Sequence, residues 1–405
     1  MEINVKKKVL VFVPRFPSLT ETFIDRELSK LAESPVLDIQ VLALEKGRGA
    51  VSPNLANKIS YDKLGPLNLL MSLGLWFTKT ARVLGAYKLL TSQKRALTNF
   101  YTLLKAVGYA QKIQRYQPEI IFAHFLAYPS TLMMLVSHIL NVPYAISAHA
   151  IDIMVDREYL IEKAQTAQFI VICNKNAYQH VLANLDSSLH HKIFLQYHGI
   201  DFSRELPTKL PPKLDKPLVF SVGRLVEKKG HKYLIEASRI LRDMGVDHYL
   251  RIAGGGSESA YAEITSLIAE KGLVDVVTVL GGGKGVPYTE VETNYLMANV
   301  VAFSGVEAES GDVDGVPNVL VESSYYGVPM VSTDVGSTTD LIVNGETGLL
   351  VSQKDPQELA TALKTVLTNK DLAQKLVENA HKKAQEAFDL NKNVIRLEEL
   401  LCSTI

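Results

Sequence analysis

Three carboxylates in the stretch GDVDGVPNVLVESSYYGVP, residues 311–329, have a spacing that could do chemistry. Asp312 and Asp314 stand one residue apart, an arrangement that suits a magnesium or manganese ion holding a nucleotide diphosphate. Glu322 follows Asp314 by eight positions and offers a different pairing, in which two carboxylates bracket a ligand without a metal. The acidic loop therefore has two interpretations, a metal site and a metal-free anion site.

The predicted helix after this loop favours the metal-free interpretation. Residues 300–306 are predicted to form a strand and 307–316 an acidic loop, while Pro317 suits the first position of a helix that continues from Asn318. Backbone N–H groups at the start of a helix are unpaired and lie at its positive end, which favours an anion. The predicted donors are the N–H groups of Val316, Asn318 and Val319.

Two cations on another predicted strand-to-helix loop could hold the phosphates of the same ligand. Arg224 follows the strand LVFSVG, and Lys229 comes five residues later, just before a glycine and a new helix. Arginine can grip a phosphate with two hydrogen bonds, while lysine acts as a point charge. Taken alone, the stretch could equally be a solvated basic loop. With the acidic loop as its counterpart, it predicts a diphosphate site and makes a metal unnecessary.

The first half of the chain offers histidines at the ends of predicted strands. His149 and Asp152 end the strand in YAISAHAID, at the edge of the sheet where ligands bind. A single histidine at such a position is more often structural than functional. His124 and His198 also end strands, and we interpret both as structural or supporting residues.

The elements that must position these residues follow from the hydrophobic pattern. Short runs rich in Val, Ile and Phe alternate with amphipathic helical patterns along the whole chain, which predicts parallel strands joined by helical crossovers. The expected fold class is α/β, with two facing Rossmann-like doubly wound domains and a cleft between them. Open sheets of this kind bind ligands at the carboxyl ends of their strands, so each domain would supply one wall of the site.

A Pro-rich segment, SRELPTKLPPKLDKPL, separates two such alternations and is predicted to be a linker. The predicted division has an N-terminal acceptor-side domain, a linker, a C-terminal nucleotide-sugar-binding domain and a final helix that could cross back to the first domain. Their ranges are 1–202, with a helical insertion at about 66–115, then 203–216, 217–388 and 389–405.

Composition excludes several classes of protein. The 43 basic and 43 acidic side chains of this 405-residue chain cancel, so nothing in its overall charge indicates nucleic acid. Cys173 and Cys402 are the only cysteines, which argues against a disulfide framework and predicts a cytoplasmic location. The apolar run after the first lysines is too short for a signal peptide and is predicted to be a first buried strand.

One segment could contact a membrane surface. No stretch reaches the roughly 18 to 20 apolar residues that a membrane span needs. Residues 67–77 are nevertheless strongly apolar, and basic residues are interspersed through 78–95. Two alternatives stay open, a helical pair packed on its own domain or peripheral docking through about 66–95 at the inner face of the membrane.

Several motifs together resemble the retaining glycosyltransferases of family 4, which have the GT-B architecture. They are VGRLVEKKG, the long stretch from DGVPNVLVES to TGLLV, and the shorter AHF, SAHAID and YHGID. The resemblance covers nearly the whole chain, is weakest at 46–115 and is most specific at 311–350. The family signature has a glutamate eight positions before a second glutamate; here Asp314 replaces the first, with a side chain one methylene shorter.

The resemblance implies roles for the residues of the C-terminal half. Arg224 and Lys229 would hold the donor diphosphate, Glu322 would bind the ribose, and Asp314 would touch hydroxyls of the transferred sugar. The backbone donors would be Gly315, Val316, Asn318 and Val319.

In the N-terminal half, His149 corresponds to the histidine that reaches the donor sugar. The turn PRFPSLTETFI resembles the family's loop near the acceptor, although it lacks the glycine pair that many members have. The polar candidates on the acceptor side are Ser18, Thr20, Glu21, Thr22 and Asp152.

The implied activity is transfer of a sugar from a UDP- or GDP-sugar to an acceptor hydroxyl, with retention of anomeric configuration. The acceptor would be a glycan or a lipid-linked glycan, and no metal or cofactor would be needed beyond the nucleotide-sugar co-substrate. Two other hypotheses stay open: a nucleotide-sugar epimerase on the same fold, and a non-catalytic protein that binds sugar nucleotides. The sequence does not predict the donor base, the sugar or the acceptor.

Overall fold

The computed structural model describes residues 6–18, 21–61, 64–65, 73–92, 95–149, 153 and 158–403. The chain divides into two compact units, each described by itself below. The N-terminal unit contains residues 1–199 together with 390–405, and the C-terminal unit contains residues 200–389.

The N-terminal unit contains a seven-stranded sheet in which every pair of neighbouring strands is parallel. Its strands are β1 (Lys7–Phe16), β2 (Leu37–Lys46), β3 (Ile59–Tyr61), β4 (Ile120–His124), β5 (Tyr144–Ala148), β6 (Ile170–Ile172) and β7 (Ile193–Leu195). Their order in the sheet is β3-β2-β1-β4-β5-β6-β7. Outward growth from β1 in both directions makes this a doubly wound, Rossmann-like sheet.

Helices cover both faces of this sheet. They are α1 (Thr22–Leu31), α2 (Leu73–Thr78), α3 (Thr80–Leu89), α4 (Ala96–Ile113), α5 (Tyr128–Leu140), α6 (Leu160–Thr166) and α7 (Lys175–Ala183). Because successive strand residues point to opposite faces, Leu10 and Phe12 of β1 pack in one core, while Val9 and Val11 pack in the other. This continuous apolar run, buried on both faces, is what predicted a parallel strand here.

The C-terminal unit repeats the architecture with a six-stranded parallel sheet. Its strands are β8 (Leu218–Val222), β9 (Tyr249–Ala253), β10 (Val277–Leu280), β11 (Val300–Phe303), β12 (Met330–Thr333) and β13 (Leu349–Val351), in the order β10-β9-β8-β11-β12-β13. Its helices are α8 (His231–Asp243), α9 (Glu258–Glu270), α10 (Tyr288–Met297), α11 (Asn318–Tyr326), α12 (Pro356–Thr368) and α13 (Lys370–Ala387). Strands β8 and β11 are neighbours, so the loops that follow them meet at one sheet edge.

The last helix, α14 (Leu390–Cys402), belongs to the N-terminal unit rather than to the unit that precedes it in the chain. Leu397 and Leu401 of α14 are buried in the same core as Leu28 and Leu31 of α1. Asn393 Nδ2 also donates to the carbonyl oxygen of Tyr197 at 3.0 Å. Apolar residues three and four positions apart give α14 the stripe that this packing needs.

Three local expectations differ from the structure. The pattern did not predict β3 (Ile59–Tyr61), which lies at the edge of the sheet and has no fully buried residue. Strand β11 ends at Phe303 instead of residue 306, since Val306 N–H donates to the Lys228 carbonyl oxygen rather than to a strand. Pro317 is the N-cap residue with ψ 121°, so helix α11 begins one residue later than predicted, at Asn318.

Among the described residues, no helix is both long and apolar enough to cross a membrane.

Candidate active site

The acidic loop after β11 meets two lysines from the loop after β8. Lys228 Nζ lies 3.0 Å from Asp312 Oδ1 and 3.3 Å from Asp314 Oδ1. Lys229 Nζ lies 2.6 Å from Asp314 Oδ2. The Asp-Val-Asp pair, which suggested a metal site, thus holds a lysine ammonium.

Asp314 is a largely buried carboxylate between two cations. Burial alone would raise its pKa, but the charges and hydrogen bonds of Lys229 and Lys228 outweigh burial and lower it. Asp314 is therefore ionised at neutral pH and keeps both ammonium groups within reach of an anion that approaches the loop.

A buried histidine orders the loop that carries Arg224. His231 Nε2–H donates to the carbonyl oxygens of Gly223 at 3.2 Å and Arg224 at 3.1 Å. Burial lowers the pKa of His231 to about 4, so the ring is neutral at pH 7. The Arg224 side chain is exposed and, within the described part of the chain, forms no hydrogen bond or ion pair. Its guanidinium group is free to bind a ligand.

The loops after β8 and β11 are held together by a hydrogen bond and by a close backbone approach. Ser304 Oγ donates to the carbonyl oxygen of Lys229 at 3.1 Å. Gly230 has φ +61°, and a Cβ atom at that position would lie 1.8 Å from the Ser304 carbonyl oxygen. Only glycine permits this approach, because other residues would add both left-handed strain and a steric clash. Lys228 and Lys229 thus have a fixed place beside the acidic loop.

The start of α11 offers backbone donors to an anion. In the described residues, the N–H groups predicted as donors have no acceptor in the protein; they are those of Gly315, Val316, Asn318 and Val319. They directly follow Asp314, and the positive end of the helix dipole lies in the same place. Backbone groups and lysine side chains therefore form a cationic edge on this loop.

Glu322 lies on α11 and is 6% exposed. A carboxylate in this position needs a polar partner, and Tyr295 of α10 provides one: its hydroxyl donates to Glu322 Oε2 at 3.0 Å. Burial and the charge of Glu322 raise the pKa of Tyr295, which keeps its proton available for this bond. The Tyr295 ring stacks on Tyr326 at 4.9 Å and meets the edge of Phe220 at 5.1 Å, which holds it in place.

In the N-terminal unit, His149 belongs to a buried cluster of titratable side chains. His149 Nδ1 lies 3.2 Å from His198 Nε2, and the other nitrogen of His198, Nδ1, lies 3.2 Å from Glu27 Oε2. His124 Nε2 is 3.8 Å from Glu27 Oε1. Phe23 of α1 stacks on the His198 ring with 4.2 Å between centroids. His124 and His198, expected to be structural or supporting residues, both lie beside His149.

The four titratable groups of this cluster have different pKa directions. Burial lowers the pKa of His198, but hydrogen bonds to Cys173 and Glu27 and the charge of Glu27 outweigh it and raise the pKa to about 10. Burial would raise the pKa of Glu27, yet the hydrogen bond and charge of His198 lower it. Burial lowers the pKa of His124 to about 4 and that of His149 well below 6.5. The cluster is thus one ion pair between two neutral rings.

The same cluster contains ligand atoms that could hold a metal. One nitrogen each of His149 and His198 and the sulfur of Cys173 lie within 4.8 Å of one another. The hydrogen bond between the two histidines accounts for this closeness without an ion. No metal ion is therefore needed to explain the arrangement.

The acceptor-side candidates lie near this cluster in sequence. Glu21 is the N-cap residue of α1, its N–H donates to the Ser18 carbonyl oxygen at 3.4 Å, and Thr22 begins the helix. The next residue is Phe23, which stacks on His198, so this turn is anchored beside the histidine cluster. Thr20 and Asp152 were predicted as polar candidates and lie outside the described residues.

Sequence reasoning did not single out five residues that the structure brings to these sites. They are Glu27, Cys173, Lys228, His231 and Tyr295. Lys228 had a signal, since it directly precedes Lys229, but the pattern did not decide which lysine meets which carboxylate. Glu27 had a weaker signal, as a charged residue on the apolar stripe of α1.

Two Rossmann-like units with parallel sheets, one of them with cations and carboxylates beside a helix start, correspond to the GT-B architecture. Residues 202–383 match the family described as glycosyl transferases group 1. WcaL of Escherichia coli (strain K12), a glycosyltransferase assigned to colanic acid biosynthesis, is 27% identical over 96% of this chain and 98% of its own length.

Two further comparisons concern the fold and a shorter stretch of the chain. The crystal structure of Anabaena Alr3699/HepE in complex with UDP and glucose matches 98% of this chain and 99% of its own, with a TM-score of 0.71 and 16% identity, and so shows the fold. A GDP-mannose-dependent alpha-(1-6)-phosphatidylinositol monomannoside mannosyltransferase of Mycolicibacterium smegmatis is 32% identical over 38% of this chain and 40% of its own length.

Proposed function

We propose that the chain transfers a sugar, with retention of configuration, from a UDP- or GDP-sugar to a hydroxyl of a glycan or lipid-linked acceptor in polysaccharide or glycolipid synthesis. The observation that carries the proposal is the cationic edge of the C-terminal unit, where Lys228 and Lys229 lie beside the unpaired N–H groups at the start of α11. The relatives named for colanic acid biosynthesis and for GDP-mannose, and the neighbour that binds UDP, support it.

In this proposal, the protein mainly stabilises charge on the leaving diphosphate. As the bond to the sugar breaks, negative charge builds on the phosphate oxygens, and preorganised donors stabilise it more than they stabilise the substrate. Arg224 and Lys229 bind the diphosphate, with the N–H groups at the start of α11. Glu322, oriented by Tyr295, accepts a hydrogen bond from the ribose.

Asp314 and His149 contact the transferred sugar in this proposal. Without a donor, Asp314 holds Lys229 at 2.6 Å. When Lys229 turns to a phosphate, Lys228 still compensates the charge of Asp314, because it lies 3.3 Å from the other carboxylate oxygen. Asp314 therefore remains ionised and can accept hydrogen bonds from sugar hydroxyls while Lys229 binds the diphosphate.

The proposed reaction uses no metal and no cofactor beyond the nucleotide sugar. Lys228 occupies the position between Asp312 and Asp314 that a divalent ion would take. Positive charge for the diphosphate would come from Arg224 and Lys229. If activity disappeared in EDTA and returned with manganese, the metal-free part of the proposal would be wrong.

We further propose that the helices α2 to α4 dock on an anionic membrane surface. Large apolar side chains are strongly exposed there, with Phe77 at 84% and Leu97 at 88%. Arg82 and Lys88 on α3 are also exposed and would pair with anionic headgroups. The sequence left docking through about 66–95 open as one of two alternatives, and 66–72 and 93–94 of that range lie outside the described residues.

The experiment that tests the transferase proposal compares donor binding and turnover in matched arginine variants. UDP and GDP would first be screened for a rise in melting temperature, since a ligand that binds only the folded state stabilises it. Arg224→Ala should abolish most of that rise and lower transfer from the matching nucleotide sugar by about 10²- to 10³-fold. Arg242→Ala is the control, because Arg242 is half-exposed on the same unit and pairs with Asp275.

Three results would count against the proposal. Unchanged transfer in both Arg224→Ala and Lys229→Ala would refute the diphosphate assignment. An epimer formed from the donor without acceptor would indicate an isomerase. Nucleotide binding with no turnover over a broad acceptor panel would indicate a non-catalytic binding protein.

A further inference from the structure

Glu27 is a charged residue in an apolar place. Helix α1 buries it to 5% exposure on the same side as Ile24, Leu28 and Leu31. Its Oε2 atom contacts His198 Nδ1 at 3.2 Å, while Oε1 has no hydrogen-bond partner among the described residues. An ionised carboxylate in this position is strongly unfavourable unless a positive charge accompanies it.

The proton between His198 and His149 can belong to either ring. The two nitrogens lie 3.2 Å apart, a hydrogen-bond distance in both cases. If His149 held this proton on Nδ1, His198 would be neutral and Glu27 would face a neutral ring. If His198 holds it and is also protonated on Nδ1, His198 is an imidazolium that donates to Glu27 from Nδ1 and to His149 from Nε2, beside the Cys173 sulfur that also hydrogen-bonds this ring.

Three features favour the imidazolium. It supplies the positive charge that the buried carboxylate requires, and it satisfies both nitrogens of His198 with acceptors. The Phe23 ring, stacked on His198 at 4.2 Å, favours a cation at that position. The pKa directions agree, since the pKa of His198 is raised to about 10 and that of Glu27 is lowered.

We propose that Glu27 and His198 are positioning residues that hold His149 in the tautomer with its proton on Nε2. His149 accepts the His198 N–H at Nδ1, so its own proton must be on the other nitrogen. Nε2 of His149 then carries a proton, so it can donate a hydrogen bond but cannot act as a base. Applied to sugar transfer, an inference that rests on the proposed function, His149 would donate to a sugar oxygen instead of removing a proton.

The direct test reads the histidine protons without any substrate. The full chain, labelled with ¹⁵N in its ten histidines, would be examined by long-range ¹H–¹⁵N correlation at pH 7.5. His149→Gln and His198→Gln would assign the two rings. The expected spectrum shows both nitrogens of His198 protonated and His149 protonated only on Nε2.

A second measurement removes the charge that maintains this state. Glu27→Gln should leave His198 neutral and shift His149 toward the Nδ1–H tautomer. Glu33→Gln is the matched control, because Glu33 lies two residues after the end of α1 and its exposed carboxylate pairs with Lys30. A proton on His149 Nδ1 in the unsubstituted chain, or an unchanged His149 signal in Glu27→Gln, would overturn the inference. So would a stoichiometric metal ion that is lost in His198→Gln.

Turnover separates this inference from the function on which it rests. Glu27→Gln should lower sugar transfer by about 10- to 100-fold, the usual effect of removing a partner that orients a functional imidazole. The thermal shift with UDP or GDP should stay unchanged, since Arg224 and Lys229 are intact. If the spectra agree with the inference but turnover is unchanged, the tautomer control stands and the role of His149 in the proposed function is wrong.

Discussion

Asp314 shows how one carboxylate can serve two purposes at the residue scale. It contacts Lys228 with one oxygen and Lys229 with the other, at 3.3 and 2.6 Å. A glutamate at this position would bring the carboxylate one methylene further out, and both ion pairs would have to adjust. The shorter aspartate therefore fits beside two lysines whose carbonyl oxygens accept hydrogen bonds from Val306 and Ser304 of the loop after β11.

Tyr295→Phe should destabilise the protein and weaken donor binding. The change removes the hydroxyl that donates to Glu322 at 3.0 Å and leaves a buried carboxylate oxygen with one partner fewer. We expect a loss of about 1–3 kcal/mol in the free energy of unfolding, which urea denaturation would measure. The rise in melting temperature with UDP or GDP should also decrease.

Tyr233→Phe is the matched control for this change. Tyr233 is a half-buried tyrosine of α8 in the same unit, and in the described chain its hydroxyl makes no hydrogen bond. Its substitution should leave both measurements unchanged. Equal stability of Tyr295→Phe and the unsubstituted chain would show that Glu322 does not depend on this bond.

Site residues could be predicted from the sequence where they lie in a local motif, and could not where only the fold brings them together. Asp314, Glu322, Arg224 and Lys229 lie in motifs whose spacing is visible in the chain, and their assignment to a donor stays a prediction. Tyr295 and Glu322 are 27 positions apart in the sequence, and no local pattern predicts their contact. Glu27 and His198, 171 positions apart, meet only because α1 and β7 belong to one folded unit.

At the scale of elements, the conformation of the loop that carries Lys228 and Lys229 depends on one glycine, Gly230. Gly230→Ala should destabilise the protein by more than the roughly 1–2 kcal/mol that left-handed backbone costs alone. Its φ is +61°, and the new Cβ would also meet the Ser304 carbonyl oxygen at 1.8 Å. Displacement of Lys228 and Lys229 should further remove the thermal shift with UDP or GDP.

Gly245→Ala separates strain from clash in this experiment. Gly245 also has a positive φ, +78°, but nothing lies within 4 Å of its added Cβ. Gly245→Ala should lose only the stability that the backbone strain costs. Its rise in melting temperature with UDP or GDP should be the same as that of the unsubstituted chain. If the two variants behaved alike, the contact between the loops after β8 and β11 would not matter for binding.

The strands and helices were largely predictable because their signals are periodic. Apolar runs such as the one in β1 are buried on both faces, and a sequence displays this directly. Ile59–Tyr61 gave no such signal, since this short edge strand has no fully buried residue and pairs only with its neighbour β2. The helix start at Asn318 instead of Pro317 is a one-residue difference that depends on the ψ angle of the proline.

At the scale of the whole molecule, we expect the chain to float with anionic vesicles. Phe77 and Leu97 project from the helical insertion, so Phe77→Ser/Leu97→Ser should abolish co-flotation with vesicles that contain phosphatidylglycerol. Vesicles of phosphatidylcholine alone should bind the unsubstituted chain more weakly, because they lack the charge that Arg82 and Lys88 would pair with.

Val274→Ser provides the control, since Val274 is 73% exposed on the C-terminal unit. This variant should float like the unsubstituted chain. A chain that stays in solution with anionic vesicles, or a double variant that still floats, would contradict membrane docking and leave the helices as a packed part of their own unit.

The return of α14 to the N-terminal unit has a consequence for biosynthesis. A ribosome makes residues 6–199 first, yet the core of that unit lacks Leu397 and Leu401 until α14 has left the exit tunnel. All of residues 200–389 emerge in between, with every strand of their own sheet. The core residues of the C-terminal unit therefore all emerge before Leu397 and Leu401, so this unit can complete its core before the N-terminal unit does.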